Sequence, residues 1–195
     1  MSDKLIKTAI ALVLFISLFA CSSLSSSTAP TPSAADIARE EQAIYTFFLP
    51  DRGALILEGT SSGISSDDPN ESVDFIKSGL KGISKQTLDS FVERNTASSA
   101  ISPDMDLGVE YKILTHEELK KISSEPNWGQ LLTETYPGSH GYTIFSRVGF
   151  NNTLDQAVIY VGVVGGPLMG SGSYYLMEKE NGEWLLKEQA NSWIS

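Results

Sequence analysis

The chain has 195 residues and a formal net charge of −10, from 14 basic and 24 acidic side chains. That acidity argues against nucleic acid as a partner, because phosphate binding needs a basic face, and it disfavours direct docking of a folded part on an anionic lipid surface. With two histidines and one cysteine, the usual zinc patterns and any intrachain disulfide are excluded, and no metal or other cofactor is implied.

Lys4 and Lys7 precede an apolar run over residues 9–20 that only Ser17 interrupts. A basic start and a short apolar core are the parts of a secretory signal. The run falls short of the about 20 residues that cross a ~30 Å hydrocarbon layer, which weighs against a transmembrane anchor. It ends in Leu18-Phe19-Ala20-Cys21. This resembles a bacterial lipobox, with Leu three residues before the cysteine and a small residue just before it; Phe19 is larger than usual for its place. The resemblance implies cleavage after residue 20, a diacylglycerol on the Cys21 sulfur and further acylation of the new N-terminus. Two or three acyl chains suffice for stable anchoring, at about 0.8 kcal/mol per buried CH₂. The implied location is the cell envelope, on the outer face of the cytoplasmic membrane or in the outer membrane. Ser22 and Ser23, in place of an Asp after the cysteine, lean toward the outer membrane or the cell surface.

Residues 21–35 are rich in Ser, Thr and Pro and carry no charge. Such a composition buries too little apolar surface to offset its ordering entropy, so a tether is expected here. Residues 36–195 have the size of one domain.

Within that domain Ile37, Ile44, Tyr45 and Phe48 mark an amphipathic helix over residues 36–48, with Glu40 and Glu41 between them and Pro50 as its stop. Residues 54–60 read as a strand. Asp68 before Pro69 suits a helix N-cap followed by Pro at the first position, and Ser84 is the candidate cap of the next helix. Residues 109–114 read as a strand. Thr115 with Glu118 forms a capping box, and Asn127 is a further candidate cap. Residues 142–148, 156–164, 173–179 and 184–189 read as strands. Asn181-Gly182 between the last two supplies the positive φ of a tight hairpin. The expected fold class is α+β, N-terminal helices packed on one face of a C-terminal antiparallel meander. A cystatin-like or nuclear-transport-factor-like sheet is a fold analogy for it.

SRVGFN (146–151), QAVIYVG (156–162), GSGSYYLMEKENGEW (170–184) and SWIS (192–195) together resemble the C-terminal half of a group of bacterial exported proteins with no established activity. In that group the Gly-rich loop often carries two cysteines, and the matching positions here are Gly165 and Met169. The loop itself, residues 165–173, has two readings. Its glycines expose backbone N–H groups that would cradle an anion, or they serve a long hairpin connection. Gly170, Ser171 and Gly172 are therefore candidate ligand or partner contacts. So are Tyr174 and Tyr175, which alternation puts on opposite faces, and Arg147, a charge inside an apolar strand whose facing is open.

No catalytic set emerges. His116 reads as an exposed first-turn residue. Ser139-His140 invites a serine–histidine idea without a nucleophile elbow. Asp67, Asp68 and Glu71, or Asp104 and Asp106, lack the spacing of an EF-hand. The favoured expectation is a non-enzymatic envelope domain that binds a protein, glycan or small ligand, or plays a structural part. The alternative is an extracytoplasmic hydrolase built on His140 or a carboxylate pair.

Overall fold

The computed structural model describes residues 31–49 and 54–195. The signal segment, Cys21, the tether up to residue 30 and Pro50 lie outside the described residues.

Helix α1 spans Ala34–Phe47 and opens with a capping box. The Asp36 N–H donates to Ser33 Oγ at 3.1 Å, and the Ser33 N–H returns a bond to Asp36 Oδ2 at 3.2 Å. A cap of this kind contributes about 1 kcal/mol. It corrects the sequence boundary: residues 34 and 35, assigned to the tether, form the first helical turn. The other start signals act as their residue types dictate. Asp68 caps α2 (Pro69–Gly79), with Pro69 at the first position. Ser84 caps α3 (Lys85–Arg94). Thr115 and Glu118 box the start of α4 (His116–Ser123). Asn127 precedes α5 (Trp128–Thr135) but its side chain makes no capping bond.

The strands are β1 (Ala54–Leu57), β2 (Tyr111–Leu114), β3 (Tyr142–Phe145), β4 (Gly149–Phe150), β5 (Gln156–Gly166), β6 (Met169–Glu180) and β7 (Glu183–Ile194). They form one mixed sheet in the order β2-β1-β3-β5-β6-β7, with β4 paired to β5. The C-terminal meander is antiparallel, as the alternation and the Asn181-Gly182 turn predict. Asn181 has φ 52° and Gly182 φ 90°. β1 and β2 extend this meander in parallel pairing, so the class is α+β with a mixed rather than purely antiparallel sheet. Parallel neighbours need a crossover. The helices between β1 and β2 and between β2 and β3 supply it.

The sheet is covered on both faces, which corrects the expected single helical face. α1 covers one side: Ile44 and Tyr45 pack with Ile56, Phe145, Ala157, Ile159, Val161 and Met177. On the other side α2 and α3 bring Ile76, Leu80, Leu88 and Phe91 against Val158, Tyr160, Tyr174 and Leu176. α4 and α5 set Ile122 and Leu132 against Leu55, Leu57 and Tyr142. Double coverage explains why Ala157–Val161 is a continuous apolar run rather than an alternating one. No helix among the described residues is long and apolar enough to cross a membrane.

Candidate functional site

Strand β3 does not run on into β4. Ser146, Arg147 and Val148 leave the ladder between them, and the break is filled by a carboxylate from α1. Glu41 accepts from Arg147 Nε through Oε1 and from Arg147 Nη2 through Oε2, both at 2.9 Å. The same Oε1 accepts from the Val148 N–H at 2.9 Å and from Arg94 Nη2 of α3 at 3.1 Å. Asn95 closes the loop from the other side, accepting from the Arg147 N–H at 2.8 Å and donating to its carbonyl at 2.9 Å. Tyr45 donates to the Ser146 carbonyl at 3.0 Å, and burial pushes its phenol well above the usual tyrosine range. Arg147 is thus a paired, half-buried structural cation. Its Nε and Nη2 are bound to Glu41, and the side chain is 31% exposed.

Neighbouring Glu40 is buried too. It accepts from Lys179 Nζ at 2.6 Å and from Trp184 Nε1 at 2.8 Å. Two consecutive glutamates on one helix are therefore each committed to a different part of the sheet.

The Gly-rich segment is mostly strand. β5 runs to Gly166 and β6 starts at Met169, leaving Pro167 and Leu168 as the connection. Gly170 and Gly172 leave room for the ring of Trp193 on β7. A Cβ on Gly172 would stand 2.2 Å from Trp193 Nε1 and 2.3 Å from the Tyr160 hydroxyl, atoms that hydrogen-bond at 2.6 Å. An aromatic ring lying over strand glycines replaces the packing those glycines lack. Gly170 and Gly172 thus make way for Trp193, and Ser171 sits exposed between them. Tyr174 and Tyr175 do take opposite faces. Tyr174 is buried against α2 and α3 and donates to the Gly63 carbonyl, with burial pushing its phenol up to about 12. Tyr175 is half-buried beside Phe48. They form no common aromatic platform.

What the hairpin tip does provide is a wall. A groove of about 620 Å³ lies between α5 and the β5–β6 connection, lined by Gln130, Thr133, His140, Pro167, Leu168 and Met169 among others. The α5 backbone approaches the tip so closely that a Cβ on Gly129 would lie 2.9 Å from the Gly165 carbonyl. Among the described residues no carboxylate, lysine or arginine lines the groove. Leu168 is 83% and Met169 64% exposed. His140 is exposed, and no described hydroxyl or carboxylate hydrogen-bonds its ring. Ser139 is buried and donates to the Tyr136 carbonyl at 2.7 Å. The Ser139–His140 pair therefore has no nucleophile–base geometry.

Comparison finds no protein-family model, no curated protein and no solved structure that matches the chain.

Of the remaining acidic candidates, Asp68 and Asp106 act as local caps. Asp68 Oδ1 accepts from the Glu71 N–H at 3.0 Å, and Asp106 Oδ1 from the Gly108 N–H at 3.2 Å. Among the described residues no three acidic, histidine or cysteine side chains converge as metal ligands. Sequence reasoning passed over Glu41, Glu40 and the Glu58 partner of His116. Helical periodicity places charged residues outside by default, and each of these finds its partners across more than fifty residues.

Proposed function

We propose that the chain is a membrane-anchored extracytoplasmic lipoprotein, held by a lipid on Cys21, whose domain binds an envelope protein or small ligand rather than turning one over. The lipobox-like Leu18–Cys21 sequence supports the anchor. One geometric observation carries the rest. The first turn of α1, where a tether would attach, adjoins Asn152–Asp155 and Lys179–Gly182 at one end of the sheet. The groove with exposed Leu168 and Met169 lies at the other end of β6. A strand of that length spans roughly 35 Å. A domain anchored at the first end presents the groove away from its membrane. An apolar concavity with a few polar groups and no charged wall suits binding.

Two measurements test this. Wild type should fractionate with membranes and carry the mass of an acylated N-terminal cysteine, while Cys21→Ala should be released or retain its signal. A membrane-bound Cys21→Ala protein of unaltered mass would sink the anchor. For the groove, proximity labelling in intact cells from a photoreactive residue at Leu168 should recover a defined envelope partner or ligand, and labelling from Lys187 should not. Equal recovery from both positions would reject the groove as the working surface.

A further inference from the structure

Of the eight large apolar side chains exposed among the described residues, four gather at one end of the sheet. Leu168 and Met169 stand at the β5–β6 turn. Val163 and Ile194 flank Ser171 on the neighbouring strands and are 44% and 76% exposed. Asp, Glu, Lys and Arg are missing from this part of the sequence: residues 156–177 and 189–194 contain none, in a chain of net charge −10. The groove between α5 and the turn, about 620 Å³, is lined without one as well. Glu134 lies outside that lining and accepts from Gln130 Nε2 at 2.7 Å. A projecting apolar side chain, Leu168, thus stands at the edge of a groove whose wall it shares with Pro167 and Met169.

We propose that the occupant of the groove is a second copy of this chain, with Leu168 of each copy entering the groove of the other about a twofold axis. This rests on the reading of the groove as a binding surface and names what fills it. A twofold contact requires its two complementary features to lie side by side on one copy, as Leu168 and the groove do. Charge selects the same end. Two copies of an acidic chain repel one another, and like charges brought together across an interface are strongly unfavourable. Tip and groove meet without setting one carboxylate against another. A different partner, suited by its charge to an acidic protein, would be basic and would need carboxylates in the wall; the groove has none. Size sets the strength. The ten lining residues with Val163 and Ile194 make about a dozen, against ~20–30 residues a side in a stable complex. The contact is therefore weak and forms where the chains are crowded together.

The test mixes isotopically light and heavy full-length protein, each with a photoreactive benzophenone side chain in place of Leu168, with phosphatidylcholine vesicles. The whole sample is illuminated and the cross-linked peptides are read by mass spectrometry. Pairs joining position 168 of a light chain to the Gln130–Thr133 segment of a heavy one should appear, and their mixed isotopes exclude a link within one chain. Thr133→Glu, which sets a carboxylate in each groove, should lower the mixed links at least ~10-fold. Thr133→Ala should leave them unchanged. Thr133 is exposed and its hydroxyl bonds only carbonyls of its own helix, so both variants should show native circular dichroism. Links within single chains only, or mixed links that Thr133→Glu leaves undiminished, overturn the second copy as occupant. Recovery of a different protein from position 168 in intact cells, without mixed links, overturns it too and leaves the groove itself as a binding surface.

Discussion

Glu41 holds Arg147 in a two-pronged grip, with both N–O distances at 2.9 Å. The pair bridges α1 to the break between β3 and β4, and Arg94 joins it from α3. Removing one member leaves charges half-buried without a partner. Glu41→Ala should therefore cost about 3 kcal/mol or more of unfolding free energy, in the range seen for broken buried pairs. Arg147→Met, which keeps an apolar stem and removes the cation, should cost less because Arg94 still faces Glu41. Urea denaturation checks both. A loss below ~1 kcal/mol for Glu41→Ala would show that the cluster is not structural.

Glu40 allows its two contacts to be separated. Glu40→Gln keeps an acceptor for Trp184 Nε1 but loses the ion pair with Lys179. Glu40→Ala loses both and leaves the buried indole N–H unpaired, at a cost of about 1–3 kcal/mol. The expected order of stability is wild type, then Gln, then Ala. Trp184 emission should change only in the alanine variant.

Gly172→Ala drives a methyl into the Trp193–Tyr160 contact. Overpacking of that kind typically costs about 1–3 kcal/mol. Trp193→Ala removes one of the two obstructing groups and frees the Tyr160 hydroxyl to shift, so the double variant should lose less than the sum of the single changes. Additive losses would show that the glycine is needed for another reason.

Acid should destabilise the fold. Asp155, bound by Asn151 and Thr153, Glu118, bound by Thr115, and Glu58, bound by His116, all have carboxyls held below their usual values. A carboxyl lowered in the folded state contributes stability that is complete above its unfolded value and fades as pH falls through the folded one. Unfolding free energy should decline from about pH 5 downward, with net proton uptake on unfolding. Glu118→Gln should flatten part of that decline, measurable by denaturation at pH 6 and pH 3.

Much of the local structure was readable because its causes are local. Ser84 and Thr115 cap within four residues of themselves, and Asn181-Gly182 needs only its own φ angles. Alternation placed Tyr174 and Tyr175 on opposite faces correctly. Sheet order was not readable, because nothing near Ile56 announces its parallel pairing with Thr143. Residues 165–173 read as loop because glycine and serine carry no strand signal of their own. What makes Gly170 and Gly172 strand residues is Trp193, on another strand. The partners of the candidate residues were hidden for the same reason. Arg147 stood out as a charge among apolar neighbours, but its partner lies 106 residues away. His116 was correctly placed on the surface, while Glu58 gave no sign of pairing with it.

Among the described residues helix α1 is the sole helical cover on its face, and its first turn begins at the sheet end beside Gly182. A pull on the chain ahead of Ser33 would slide the helix along the sheet instead of peeling it strand from strand. Glu40 and Glu41, clasped to Lys179 and Arg147, cross that slip plane about two turns in. Their grip on Lys179, Trp184, Arg147 and Arg94 must yield before the helix can move along the sheet.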